Sequence, residues 1–379
     1  MVDVTTSSPA QSGETTECHP NFAYGDGSPG RAASPGSGTN RQCPSSTPAT
    51  SARTIRLADG GNHPTGYRAE EVRKPHEAFV AAGVEVVIAT PDGKVPQPDP
   101  WGLEPFFHYP QVDEDFMFSV LRRFAYHPDR VRVTFTHFSE LNLVAVRRVY
   151  LALRDTGMEP AEARKAVESA AHRAWRRNID FIEVLAADDE VTSRLSVDRI
   201  REIRDEVWQA SRARAHSAAG ALARLHGLHQ PGSLTALTDE EILDFDGVFI
   251  PGGHGAMVDL ADSPDIGRVL RLMQGAGKTI TALCHGPAAL LSAPEIDGTW
   301  MFDGYRMTAF TDEEEDQTKA GKVGMPWYLE AALKNRGAIF DDGDAAWVSH
   351  VAIDRNLITG QNPGSAEAAA GAMLKRLRT

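Results

Sequence analysis

The chain has little cysteine: three residues in 379, at Cys18, Cys43 and Cys284. Cys18 and Cys43 lie in low-complexity sequence and supply at most one bridge, so there is no disulfide framework, and a reducing cytoplasm is the expected setting. Basic excess is absent too. A formal charge of −13 argues against general affinity for nucleic acid or anionic membrane. No apolar run approaches the roughly 20 residues needed to cross a bilayer. The start, Met1-Val2-Asp3-Val4-Thr5-Thr6-Ser7-Ser8, has neither the basic stretch nor the apolar core of a secretory signal. No HExxH or CxxC pattern occurs, which removes the commonest sequence signs of zinc. The glycine-rich stretch Pro251-Gly252-Gly253-His254-Gly255 lacks GxGxxG spacing and a Walker lysine, so it is a poor phosphate loop.

What is present divides the chain into four parts. Residues 1–52 are rich in Gly, Ser, Pro and Thr with few large apolar side chains. They bury too little to offset ordering entropy and are expected to be disordered. Residues 53–102 open an α/β pattern: a helix over 66–83, which Pro75 is expected to kink or restart and Gly83 to close, then an apolar strand over 84–90 and a Pro91-Asp92-Gly93 turn. Residues 103–232 break that rhythm with a long helical insertion. Ser139 can cap a helix over 140–153, Pro160 suits a helix first turn, and Ser196 can cap a helix over 197–224. The arginines of this last helix alternate with Asp and Glu, which reads as a solvated, salt-bridged face. Residues 233–379 resume the alternation: strands at 246–250, 279–283, 305–310, 338–340 and 357–359, helices at 265–274, 327–334 and 365–377. Such alternation predicts a mainly parallel sheet with helices on both faces. Ligands of such sheets sit beyond the carboxyl ends of strands. Both glycine-containing turns, after Ile250 and after Leu283, lie at such ends.

The most telling stretch is Cys284-His285-Gly286-Pro287-Ala288. It follows a buried-type strand and precedes what reads as the first turn of a helix. A cysteine at a sharp strand-to-helix turn is expected to be strained, exposed and faced by helix N–H groups, which would lower its pKa from about 8.5 toward neutrality. A lone cysteine before a helix is ordinarily core; the adjacent histidine, the glycine and the turn shift the reading to a nucleophile. Backbone N–H groups near Gly253 can stabilise an oxyanion beside it. His285 needs an orienting carboxylate, and the acidic run Asp312-Glu313-Glu314-Glu315-Asp316 offers several, although such runs are ordinarily solvated loops.

Four motifs in order carry a resemblance: the Gly66…Glu71…Pro75 helix, Pro251-Gly252-Gly253-His254-Gly255-Ala256, the cysteine turn, and Leu357-Ile358-Thr359-Gly360-Gln361-Asn362-Pro363. Over about 54–102 and 233–379 the chain resembles the PfpI superfamily, with its flavodoxin-like, class I glutamine-amidotransferase-like fold. More narrowly it resembles the branch of glutathione-independent glyoxalases (glyoxalase III) and heat-shock chaperones. The resemblance implies a nucleophile at Cys284, a catalytic histidine at His285, and a triad carboxylate at Glu315, with Glu314 and Asp316 as register alternatives. It also implies a thiol-contacting Glu71 and oxyanion contacts from the backbone of Gly253 and His285. The implied reaction converts a 2-oxoaldehyde such as methylglyoxal to a 2-hydroxy acid, without a cofactor, in a homodimer.

The chain departs from that pattern in three places. The residues before Thr54, from Pro48 to Arg53, are too polar for a buried first strand, so either Thr54–Leu57 takes that role or the strand is missing. The metal pair of some chaperone-branch members falls on Val80 and Glu85, half of it lost, so no metal is expected there. His350 has no glutamate two residues on, unlike true glutamine amidotransferases, so glutamine hydrolysis is not expected. The rival readings are a stress chaperone with Cys284 as an oxidation sensor, and a hydrolase or deglycase acting on small amides or glycated groups. The insertion reads most simply as cover for the sheet or the site entrance.

Overall fold

The computed structural model describes residues 2–3, 46–105, 108, 109, 113, 116, 117, 119, 120 and 139–378. The rest of the expected disordered segment, residues 4–45, lies outside them, as do Cys18 and Cys43.

The scaffold of the site is a five-stranded sheet in the order Val2–Asp3, Gly247–Ile250, Thr279–Leu283, Leu357–Gly360, Val351–Asp354. The three inner strands are parallel, with Val248 opposite Ile280 and Ile358 opposite Thr281. The two outer ones are antiparallel. Every residue of Gly247–Ile250 and Thr279–Leu283 is buried, as expected of parallel strands covered on both faces. A smaller parallel sheet, Ser46–Pro48, Val87–Thr90 and Gly232–Ser233, lies alongside, with Ser46–Pro48 next to Gly247–Ile250.

Two expectations are corrected here. Residues 46–52, assigned above to the disordered segment, belong to the fold. The missing first strand is Ser46–Pro48, whose partner register is Val87 to Ala89. Thr54–Arg56 instead forms an antiparallel hairpin with Asn62–Pro64. A three-residue strand needs no apolar run when its neighbours supply the burial. Backbone pairing holds one side, and the Asp259 carboxylate accepts hydrogen bonds from Ser51 N–H (2.7 Å), Ala52 N–H (2.9 Å) and the Ser51 hydroxyl (3.1 Å). Ala49 and Thr50 are buried as a result.

Helices flank the main sheet. Ala69–Ala81 runs unbroken through Pro75 and packs with the closing helix Ala366–Leu377. Together with the strands they bury Phe79, Phe249, Leu283, Ile358 and Met373. Pro264–Gly275 covers the opposite face, its Ile266, Val269, Leu270 and Met273 joining a core with Val248, Ile250 and Ile280. The insertion brings a core of its own, built on Val149, Leu153, Val167, Phe181, Leu185 and Ile200 among others. Its longest helix, Val197–Leu222, is capped by Ser196, whose hydroxyl accepts from Arg199 N–H at 3.2 Å. Pro160 opens the helix Pro160–Arg177. The salt-bridged face is present, for example Arg199 to Glu206 at 2.6 Å. The helix expected from Glu140 begins instead at Val146, after a 3-10 turn over Leu143–Ala145. Asn142 interrupts it at φ 55°, held by its side chain between Asp180 (2.7 Å) and the Trp208 indole N–H (2.8 Å).

Phe79 joins the first helix to the central sheet, its ring edge-on to Phe249 at 5.6 Å, and it is fully buried. Phe79→Ala is expected to lower the unfolding free energy by about 3–5 kcal/mol, measured as a lower urea midpoint at unchanged slope.

Candidate active site

Two turns meet at the carboxyl ends of Gly247–Ile250 and Thr279–Leu283. In the first, Gly253 has φ 104°, and a Cβ there would lie 2.2 Å from the Gly66 carbonyl oxygen. In the second, a Cβ on Gly286 would lie 2.3 Å from the Ile250 carbonyl oxygen. No side chain fits either place: Gly253 lets the loop lie against the segment that leads into Ala69–Ala81, and Gly286, with Gly252, whose Cβ would lie 2.6 Å from His285 N, lets the two loops interlock. Between them Cys284 adopts φ 60°, a left-handed conformation that costs on the order of 1–3 kcal/mol for a residue with a side chain. The strain is held by the sheet: Cys284 N–H donates to Gly360 O at 2.8 Å, and its carbonyl accepts from Phe310 N–H at 2.9 Å.

The expected strain is therefore present, but the expected exposure is not. Cys284 is only 3% exposed, and the segment after it, Gly286–Ser292, is a 3-10 helix. Burial, then the neighbouring Glu71 carboxylate, push the thiol well above its ordinary value, against the opposing pull of Arg68. The lowered thiol pKa read from the sequence is thus reversed in the resting site. Its cause is the solvent exclusion and the carboxylate beside the sulfur, which sequence adjacency does not show.

Glu71 projects from the first turn of the helix Ala69–Ala81 and is fully buried. Its Oε2 accepts from Gly252 N–H at 2.8 Å, and the carboxyl also interacts with the Cys284 thiol. Burial raises it to about 7, although Arg68 and the two hydrogen bonds favour its ionised form. A carboxyl with this value near neutral pH is suited to taking and returning protons.

His285 stands between thiol and carboxylate. Its Nδ1 is 3.4 Å from Cys284 Sγ and its Nε2 is 2.7 Å from Glu315 Oε2. The acidic run is no solvated loop. It is a short helix, Asp312–Asp316, with Glu314 and Glu315 buried. The register alternatives have other partners. Glu314 accepts from Trp347 N–H (2.6 Å), Asn362 Nδ2 (2.9 Å) and Gln361 Nε2 (3.1 Å), fastening two loops to its helix. Asp316 accepts from the Tyr328 hydroxyl at 2.6 Å. Burial and the adjacent His254 lower His285 to about 4, so it is a neutral imidazole at pH 7. Burial works to raise Glu315, but His254 and His285 hold it well below the usual carboxylate range.

The residues that sequence reasoning passed over complete the pocket. Arg68, Asp99, Trp101, His254 and Trp347 line it with Gly253, Cys284, His285, Phe310 and Pro363. The His254 side chain hydrogen-bonds Glu315 Oε1 at 2.8 Å. Its motif was visible as a glycine loop, but nothing local announces that the imidazole turns inward. Asp99 and Trp101 come from the segment just before the insertion and carry no sequence signal. His254, His285 and Glu315 are also a set of three potential metal ligands with donor atoms within 4.8 Å of one another. Their mutual hydrogen bonds account for the cluster. Val80, on the metal-pair position of the helix, is exposed.

Residues 233–376 match the sequence profile of the DJ-1/PfpI family. This part of the chain belongs to that family. Within the insertion, residues 142–216 match a second profile, adenylosuccinate lyase C-terminus. The chain is 34% identical over 142 residues to the bovine glutamine amidotransferase-like class 1 domain-containing protein 1, covering 38% of this chain and 62% of that protein. It is 35% identical over 130 residues to the protein/nucleic acid deglycase HchA of Escherichia coli, covering 33% of this chain and 44% of that protein. The chain thus matches less than two thirds of the length of either relative. The 24 kDa Rapid Encystment Protein of Francisella tularensis shares the α/β fold, with a TM-score of 0.50 at 19% identity over 88% of this chain and 97% of that one. No helix among the described residues is long and apolar enough to cross a membrane.

Glu71 makes stability depend on pH. Its folded value of about 7 lies above its ordinary 4.5, so the folded state binds the extra proton between those values. The stability this contributes is complete below about pH 4.5 and lost as the pH rises through 7. In urea titrations from pH 5 to 8, Glu71→Gln should gain stability relative to the parent as the pH rises. A gap that is constant across the range would contradict the assignment.

Proposed function

We propose that this protein is a cysteine-dependent enzyme of small 2-oxoaldehydes, converting methylglyoxal or a near relative to the 2-hydroxy acid without glutathione. The observation that carries the reading is the chain of contacts Glu71, Cys284, His285, Glu315 in a small, largely apolar pocket. A nucleophile lies between two proton-handling groups, one of them held near neutral pH. The small pocket walled by Trp101, Phe310 and Trp347 suits a three-carbon substrate better than a peptide.

The steps use groups already in place. The Cys284 sulfur adds to the aldehyde carbon as its proton leaves for the free Nδ1 of His285 or for Glu71. The carbonyl oxygen takes up a proton and becomes the hemithioacetal hydroxyl. Backbone N–H groups of Gly253 and His285 are the proposed stabilisers of the charge that develops on it. Glu71 removes the proton from the former aldehyde carbon and returns it to the neighbouring carbon, while the hemithioacetal hydroxyl proton passes to the neighbouring carbonyl oxygen, giving the thioester of the 2-hydroxy acid. Water then attacks the thioester, releasing the acid and restoring the thiol. Glu315 orients His285 and stabilises it when it becomes charged. The resemblance to a deglycase supports a second use of the same nucleophile, release of an aldehyde adduct from an amine, in which the hemithioacetal arises from a glycated group.

Cys284→Ala should abolish lactate formation from methylglyoxal, followed by chiral product analysis; activity retained in this variant would sink the proposal. Glu71→Gln should lower kcat by about 10²–10⁴ with the fold intact by circular dichroism. In the parent, kcat/KM should rise with pH to a plateau above about 7, where Glu71 is ionised. A profile flat from pH 5 to 8 would place the base elsewhere.

A further inference from the structure

Glu315 serves two imidazoles. His285 takes Oε2 at 2.7 Å and His254 takes Oε1 at 2.8 Å, with the Thr318 hydroxyl also on Oε1 at 2.9 Å. The two rings lie 4.3 Å apart between centroids, tilted 55°, and both are buried. On its other side His254 Nδ1 is 4.0 Å from Asp99 Oδ2. One carboxylate cannot fully compensate two imidazolium ions at this separation.

We infer that His254 is a positioning residue: by occupying half of Glu315 it limits the charge support available to His285, and so keeps the Cys284–His285 pair as neutral thiol and neutral imidazole until substrate enters. The inference rests on Cys284 being the nucleophile. It assigns a role to a side chain that otherwise only lines the pocket.

The surroundings favour His254 over His285 as the ring that carries a proton. Facing His254 are Glu315 from the helix Asp312–Asp316, Asp99 from the segment before the insertion, Arg68 at the start of the helix Ala69–Ala81, His285 from the elbow and His63 from the hairpin. The two carboxylates outweigh burial and raise His254. His285 has a share of Glu315 and some pull from Asp99, but burial and the charge of His254 outweigh both, and it falls. Removing the charge of His254 while leaving Glu315 in place should therefore return the carboxylate to His285. His285 could then take the thiol proton, giving a thiolate–imidazolium pair. His254 is not among the leading influences on the thiol itself, so its main action runs through His285.

The test is the pH dependence of iodoacetamide alkylation at Cys284 in the full chain, followed at the peptide level to separate it from Cys18 and Cys43. It needs no substrate. Absent lactate formation in the parent would therefore defeat the glyoxalase reading without touching this one. His254→Gln should alkylate about tenfold faster at pH 7, with its midpoint about one pH unit lower than the parent's. In a Glu315→Gln background the same change should produce no acceleration. Alkylation that is unchanged, slower or undetectable in His254→Gln overturns the inference. So does an equal acceleration without Glu315. A purely structural role would change the rate without moving the midpoint. If His254→Gln loses its thermal unfolding transition, His254→Asn decides by the same criteria.

Discussion

The site depends on one steric constraint: two loops at neighbouring strand ends approach closer than any side chain allows. Gly252 and Gly286 are the places where that approach happens, each with backbone atoms of the other turn where a Cβ would stand. The parallel register of Gly247–Ile250 with Thr279–Leu283 brings the loops together, and the hydrogen bonds of Cys284 to Gly360 and Phe310 hold the strained elbow there. Buried apolar strands supply the stability against which the left-handed cysteine is maintained. The scaffold is rigid where the chemistry requires precision.

Electrostatics then distributes protons among groups that are all shielded from water. Glu71, Glu314 and Glu315 are three buried carboxylates with different roles, two raised and one lowered, and the partners explain the difference. Glu315 faces two imidazoles and remains charged. Glu71 has a single backbone donor at its Oε2, with the thiol alongside, and sits near neutrality. Glu314 is also raised to about 7 by burial, yet it accepts from backbone and amide donors on two loops, which makes it a fastening rather than a reactant. Burial alone raises every carboxyl; hydrogen-bond partners and neighbouring charges decide which one does what.

The helical insertion has its own core and its own profile match, while the segment just before it lines the pocket. Trp101 lies under Arg68, whose guanidinium carbon is 5.3 Å from the ring centroid. Asp99 accepts the Trp101 N–H at 2.8 Å and faces His254.

The elements with a strong local signal were legible as sequence. The apolar runs of the inner strands, Pro160 and Ser196 at helix starts, and the cysteine turn each follow from residue types a few positions apart. Glu71 and Glu315 were reached by resemblance, and the structure brings both beside Cys284 and His285. Long-range pairing was not legible. Ser46–Pro48 becomes a strand because Val87–Ala89 and Asp259 hold it, although its own composition reads as disorder. Asn142 breaks a helix because Asp180 and Trp208, 38 and 66 residues away, claim its side chain. The sequence places Cys284 and His285 side by side, since both lie within one turn. The protonation of that cysteine depends on solvent exclusion, on Glu71 some two hundred residues earlier, and on the sharing of Glu315 with His254. Those are distances through space, which folding alone sets.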